Sequence, residues 1–311
     1  MIGRVTQQGL QQASLKNLQS NLSRMSQLQS QLSSGKGITK ASDDPAGMVD
    51  AMRIRSDQRA TAQHARNASD GVGWLSTVDT ALQNSTALLR QARDLTVQGA
   101  NSGALSQSAR DALAAEIRAT GEAIREQANS KYLGRSVFAG TSNATVAFDG
   151  PGASPGTGYG FNGNSGTVNR RISDATTVRV DSNGAAVFGT EQWPASGSAA
   201  PDVSVFALLE KIATDLEAGT SNVSTHLNDI DIRMNKMLGE IATSGTRYKQ
   251  VLEAQDTIEG RALTLKTQLT AVEDVDLAET IVELQMQEVA YQSALSATSR
   301  ALQPSLLDFL R

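Results

Sequence analysis

The stretch LAETIVELQMQEVAYQSALSATSRAL, residues 277–302, and its counterpart LKNLQSNLSRMSQLQSQL, residues 15–32, decide the architecture. In the first, Leu277, Ile281, Leu284, Tyr291, Leu295 and Leu302 follow alternating steps of three and four, with Glu288 and Thr298 in the gaps. In the second, Leu15, Leu18, Leu22, Met25 and Leu32 keep the same rhythm around Gln29. A repeat of about 3.5 residues marks a coiled-coil seam. Neither stripe has a partner in its own sequence neighbourhood, so the two ends are expected to pair with each other or with copies of themselves. The chain then runs out, turns and comes back.

Moving inward, Asp44 followed by Pro45 reads as a helix cap with proline at the first helical position, where its missing N–H is not needed. Trp74, Val78, Ala81, Leu88, Ala92 and Leu95 form the stripe of the helix that follows, and Ser106 caps another with Leu113, Ile117 and Ile124 inward. From Leu227 to Val272 a three-four frame runs through Ile230, Met234, Met237, Ile241, Tyr248, Val251, Ile258, Leu265 and Leu269. As one helix it is about 70 Å long, which predicts a rod. Gly239, Gly245 and Gly260 weaken it by about 1 kcal/mol each relative to alanine and are candidate kinks. Asp274 or Asp276 can cap a new helix after it.

Between the helical arms, the block from Gly140 to Asp202 holds four of the six prolines and many glycines, together with Phe148, Tyr159, Phe161, Phe188 and Trp193. It reads as a non-helical insert with a small core of its own. Within it Thr177 to Val180 alternates, Asn183-Gly184 suits a type I′ turn, and Val187-Phe188 returns, so a β-hairpin is expected there. The Gly-rich run from Gly150 to Gly166 is compatible with either an ordered or a disordered tip.

Composition excludes several classes of function. The 28 basic and 32 acidic residues give a net charge of -4 without a long run of either sign, unlike a basic-patch nucleic-acid binder. There is no cysteine, hence no disulfide or thiolate metal site. The start MIGRVTQQGLQQ lacks an apolar stretch of signal-peptide length, and no segment approaches the length of a membrane span. His64 and His226, the only histidines, have no second ligand at helical spacing and are expected to be solvent-exposed. Asp43-Asp44 suits capping better than acid-base chemistry. Ser34-Gly35-Lys36-Gly37 lacks the Ser or Thr that a phosphate loop needs. No cofactor, metal or catalytic residue is expected.

The run Leu32-Ser33-Ser34-Gly35-Lys36-Gly37-Ile38, followed by Ser42-Asp43-Asp44-Pro45-Ala46-Gly47, resembles the N-terminal signature of flagellin-type proteins. So does Asp70-Gly71-Val72 leading to Ala92 through Gln98. Val272 to Glu279 and the closing Ser305 to Leu310 are similar to the flagellin C-terminal helix. The opening Arg4-Val5-Thr6, the Ser-Asp-Asp-Pro wording, and Gly134-Arg135-Ser136-Val137-Phe138-Ala139-Gly140 resemble the hook-associated protein 3 branch, the hook–filament junction proteins. Gly37, where the branch has a basic residue, and the flagellin-like Val97 depart from that pattern.

The resemblance implies a non-catalytic structural protein, exported without a cleaved signal and forming a short extracellular ring that transmits torque. Its implied partners are copies of itself, hook-associated protein 1, flagellin and a flagellar export chaperone, with no nucleic acid and no membrane insertion. Flagellin itself is the alternative, and a cytoplasmic coiled-coil signalling module is the alternative of another class. The expected fold is mainly α: an elongated rod of long coiled-coil helices formed by both chain ends, with an inserted small β-rich domain. Its expected parts are terminal inner-tube segments 1–42 and 275–311, a long-helix bundle 43–139 and 203–274, and an outer domain 140–202.

Overall fold

The computed structural model describes residues 7–100, 105–150, 159–191 and 203–301. The chain divides into two units, one made of Met1–Ala60 with Arg261–Arg311 and the other of Thr61–Gly260. Seven α-helices are described: α1 Gln7–Ser34, α2 Pro45–Ala100, α3 Gln107–Ala128, α4 Gly184–Phe188, α5 Val205–Ala218, α6 His226–Glu273 and α7 Leu277–Ala301. Two small antiparallel sheets lie between α3 and α4. One pairs β1 Lys131–Tyr132 with β2 Arg135–Ser136, and the other pairs β3 Asn169–Arg171 with β4 Thr177–Arg179.

The helix boundaries follow from local chemistry. Asp44 Oδ1 accepts from Ala46 N–H at 3.0 Å, and α2 starts at Pro45. Ser106 Oγ accepts from Ala109 N–H, and Ser204 caps α5 in the same way. At the far end of α5, Gly219 takes φ +67 and lets Thr220 N–H reach Asp215 C=O, the left-handed stop that glycine provides. The long frame from Leu227 to Val272 is one helix, uninterrupted at Gly239, Gly245 or Gly260. Every apolar residue of its stripe is buried or half-buried.

In the Thr61–Gly260 unit one core runs through Trp74, Leu75, Val78, Leu82 and Leu89 of α2, Ile117 and Ile124 of α3, Leu208, Leu209 and Ile212 of α5, and Ile230, Met237 and Val251 of α6. Arg118 reaches from α3 to both Glu210 and Glu217 of α5. The chain leaves α3 through a two-residue turn at Leu133-Gly134, both at positive φ as a type I′ turn requires. Val137, Phe138 and Ala139 then enter the core. At Gly140, φ +63, a Cβ would come within 2.6 Å of the Asn164 and Gly166 carbonyl oxygens, so only glycine fits.

Three expectations are corrected here. The hairpin around Asn183-Gly184 does not form, because β4 pairs with β3 and Gly184 does not take the positive φ of a type I′ turn. The Asn183 side chain instead accepts from Ala185 N–H and caps α4, which carries Val187 and Phe188 inward. The insert does not keep a separate core either. Phe148 and Phe188 pack on Phe206 of α5 with ring centroids 5.1 and 6.1 Å apart, continuous with the helical core. Trp193, expected in that cluster, and residues 151–158 of the Gly-rich run lie outside the described residues.

The third correction concerns the histidines. His226 is only 4% exposed, and its Nε2 lies 2.8 Å from Asp215 Oδ2. Burial works to raise the Asp215 carboxyl, but hydrogen bonds from Lys211 and His226 outweigh it and hold the group below its ordinary value. Burial raises the neighbouring Asp229. His64 is mostly covered, with Nε2 3.2 Å from Asp174. A polar sequence context says nothing about the tertiary neighbours that cover these side chains.

Candidate assembly surface

The unit made of both chain ends is built on α1 and α7, which pack against each other. Arg24 pairs with Glu283 at 2.6 Å, and Gln287 Nε2 donates to Asn21 C=O at 3.3 Å, so the helices run antiparallel. Asp276, not Asp274, caps α7, its Oδ1 accepting from Ala278 and Glu279 N–H.

At the base of this pair the chain is pinned by Glu273, whose side chain is 4% exposed. Its carboxylate meets Lys36 Nζ at 3.1 Å and Arg55 Nη2 at 2.7 Å. Its carbonyl accepts from Gly37 N–H, and Val275 N–H returns a bond to Gly35 C=O. Gly35, at φ +69, makes the left-handed exit from α1 that this pairing needs. Asp43 Oδ2 accepts from Lys40 N–H, from the Thr39 hydroxyl and from Thr39 N–H, and those bonds keep its carboxyl below the ordinary value.

The contact face is shifted from the most apolar stripes. On α1 it consists of Ser14, Leu18, Asn21, Met25, Leu28 and Leu32. On α7 it consists of Thr280, Leu284, Gln287, Tyr291, Ala294 and Thr298. Both sets keep the heptad rhythm. Of the residues singled out from sequence, Leu18, Met25, Leu32, Leu284 and Tyr291 are half-buried on this intramolecular face. Leu15, Leu22, Leu277, Ile281 and Leu295 are exposed, and Leu302 lies outside the described residues.

The sequence reading missed Leu28, 1% exposed, although Leu18, Met25, Leu28 and Leu32 form their own frame around Asn21. It also missed Val282, Met286 and Val289, a second exposed stripe that helical periodicity places on the side of α7 away from α1. A helix apolar on most of its circumference is normally buried on most of its circumference. Here α1 covers one side of α7 and leaves the rest open.

The comparisons with known proteins fit this geometry. The model of the bacterial flagellin N-terminal helical region matches residues 5–143, and that of the C-terminal helical region matches residues 227–310, together well over half of the chain. The chain belongs to the bacterial flagellin family. Flagellar hook-associated protein 3 of Salmonella typhimurium is 23% identical over 94% of this chain and 94% of its own length. Flagellin of Bacillus subtilis is 25% identical over 96% of each chain. Among solved structures, a flagellar hook-associated protein from Vibrio parahaemolyticus shares the fold with a TM-score of 0.65 and 20% identity, covering 75% of this chain and 100% of that one. Mainly helical architecture from both chain ends with a small β insertion, as read from the sequence, is the architecture of this fold. Among the described residues no helix is long and apolar enough to cross a membrane.

Proposed function

We propose that this chain is a structural subunit of the bacterial flagellum that joins hook to filament as a short ring and transmits torque. The observation that carries the reading is the open side of α7: Leu277, Ile281, Val282, Met286, Val289 and Leu295 are between 44% and 63% exposed. Exposed apolar surface of this extent marks an interaction site, and in a chain of this family the natural occupants are neighbouring subunits. The end-to-end similarity to hook-associated protein 3 favours the junction role.

In this proposal residues 1–42 and 275–311 line the inner tube, 43–139 and 203–274 form the helical layer around it, and 140–202 faces outward. The partners are copies of itself, hook-associated protein 1 on the hook side, flagellin on the filament side, and an export chaperone before assembly. The protein works outside the cell after export through the flagellar apparatus.

Flagellin is the second reading, favoured by the equally complete match to the Bacillus subtilis protein. Purified protein added to isolated hooks separates them. A junction subunit adds a short collar and stops, whereas a flagellin grows long filaments. Binding to neither hooks nor itself would refute both.

A further inference from the structure

We infer that a notch between α2 and α6 receives a basic side chain from a second copy of this chain, an inference that rests on the reading of the protein as a self-assembling subunit. The notch holds about 230 Å³ and is lined by Ser76 and Asp79 of α2 and Ser244, Gly245 and Tyr248 of α6. All five belong to the Thr61–Gly260 unit.

One feature marks it as built. Ser244 is 1% exposed, yet its hydroxyl has no hydrogen-bond partner among the described residues. Its neighbours Thr243 and Thr246 satisfy their hydroxyls on the carbonyls of Gly239 and Ala242, one turn back on the same helix. Ser244 makes no such bond. A buried polar group left unpaired is costly, which favours a donor or acceptor brought from outside. Gly245 adds room rather than a second mark: a Cβ there would meet nothing within 4 Å among the described residues, as at Gly239 and Gly260 on the same helix.

The lining chemistry selects the occupant. It offers a carboxylate and three hydroxyls, and no basic side chain lines it. Asp79 Oδ2 accepts from Gln83 Nε2 at 2.6 Å, which leaves its other oxygen for a further donor. The bases nearest in sequence on α6 are committed elsewhere: Arg247 to Glu240 and the Asp181 carbonyl, Lys249 to Glu253. A guanidinium or ammonium group, all donors and no acceptors, matches this set. The same unit carries Arg90, Lys131 and Lys236 exposed and without an ion-pair partner among the described residues. A contact in which the acceptor patch of one copy meets a different, donor-bearing patch of the next is head-to-tail and propagates into a ring or helix rather than closing a two-fold dimer.

The test uses purified full-length protein, isolated hooks as seeds, and two variants that leave the core untouched. Asp79→Asn removes the charge at constant shape. Gly245→Leu adds bulk at the notch from a position where the Cβ meets nothing within 4 Å. Both should melt at or above the wild-type temperature while addition to hooks, counted by electron microscopy, falls roughly ten- to hundredfold. Asp79→Lys should be rescued by charge reversal at one of Arg90, Lys131 or Lys236. Wild-type levels of addition by both single variants overturn the inference and leave the functional reading standing. Loss with Gly245→Leu alone overturns the cationic occupant. Loss with Asp79→Asn and no rescue overturns Arg90, Lys131 and Lys236 of a second copy as its source. If wild-type protein does not add to hooks at all, the functional reading fails and takes this inference with it.

Discussion

Truncating Leu28 and truncating Ile281 should fail in different assays, because the first side chain is covered by the protein's own terminal helix pair and the second is 46% exposed. Leu28→Ala removes a side chain with 1% exposure. Large-to-small changes of this kind cost about 2–5 kcal/mol, and a two-helix contact relaxes enough to favour the lower end, about 2–3 kcal/mol. Helical stability in proteins comes mostly from tertiary packing, so the loss appears as local opening. At a factor of ten per about 1.4 kcal/mol, amide exchange along α1 and α7 should accelerate roughly 30- to 140-fold in the monomer. Ile281→Ser should change monomer stability by no more than about 0.5 kcal/mol. Its effect should appear on assembly, where burying the exposed half of the side chain is worth about 0.7–1.5 kcal/mol per contact and adds over the subunits of a ring. Exchange of the monomer by mass spectrometry and addition to isolated hooks are the two readouts. Unchanged exchange in Leu28→Ala, or normal assembly by Ile281→Ser, would refute the assignment of one face to the fold and the other to neighbours.

Four further outcomes follow from the same geometry. Glu273→Gln removes charge-assisted bonds to Lys36 and Arg55; both cations are near 45% exposed and can rehydrate, so the cost should be about 1.5–3 kcal/mol, read as faster limited proteolysis at residues 35–44. Gly239→Ala places a Cβ in open space on α6 and should stabilise by up to about 1 kcal/mol, with a higher melting temperature. Phe148→Ala opens the aromatic cluster on Phe206 and should destabilise the Thr61–Gly260 unit by about 3–5 kcal/mol in urea unfolding, whereas a self-contained insert would leave the helical signal unchanged. The depressed Asp215 carboxyl contributes stability above its unfolded pKa, and that contribution is lost as pH falls through its folded value. Asp215→Asn should therefore flatten the drop in melting temperature below about pH 3.8, and an unchanged acid limb would count against the Lys211–Asp215–His226 cluster.

How much of this was legible in the sequence depended on what covers each helix. On α6 one apolar stripe is covered along its length, and the frame from Leu227 to Val272 placed the helix to within a residue at either end. Asp44, Ser106 and Pro45 act through bonds a few residues long, so their caps were readable without tertiary knowledge. The insert was harder, because Asn183 can open a turn or cap a helix, and the choice was made by Phe188 reaching Phe148 and Phe206 from distant sequence. The terminal helices were hardest, for a physical reason. Periodicity finds the most apolar stripe and treats it as the covered one. On α7 the covered face carries Thr280, Gln287, Ala294 and Thr298 beside Leu284 and Tyr291, while the fully apolar positions Ile281, Val282, Met286 and Val289 remain open. That inversion suits a helix with successive partners. Its contact to α1 is a partly polar seam, and in the proposed assembly the larger apolar area is left for neighbours to cover. A helix whose best stripe were spent inside the monomer would have little left with which to join a ring.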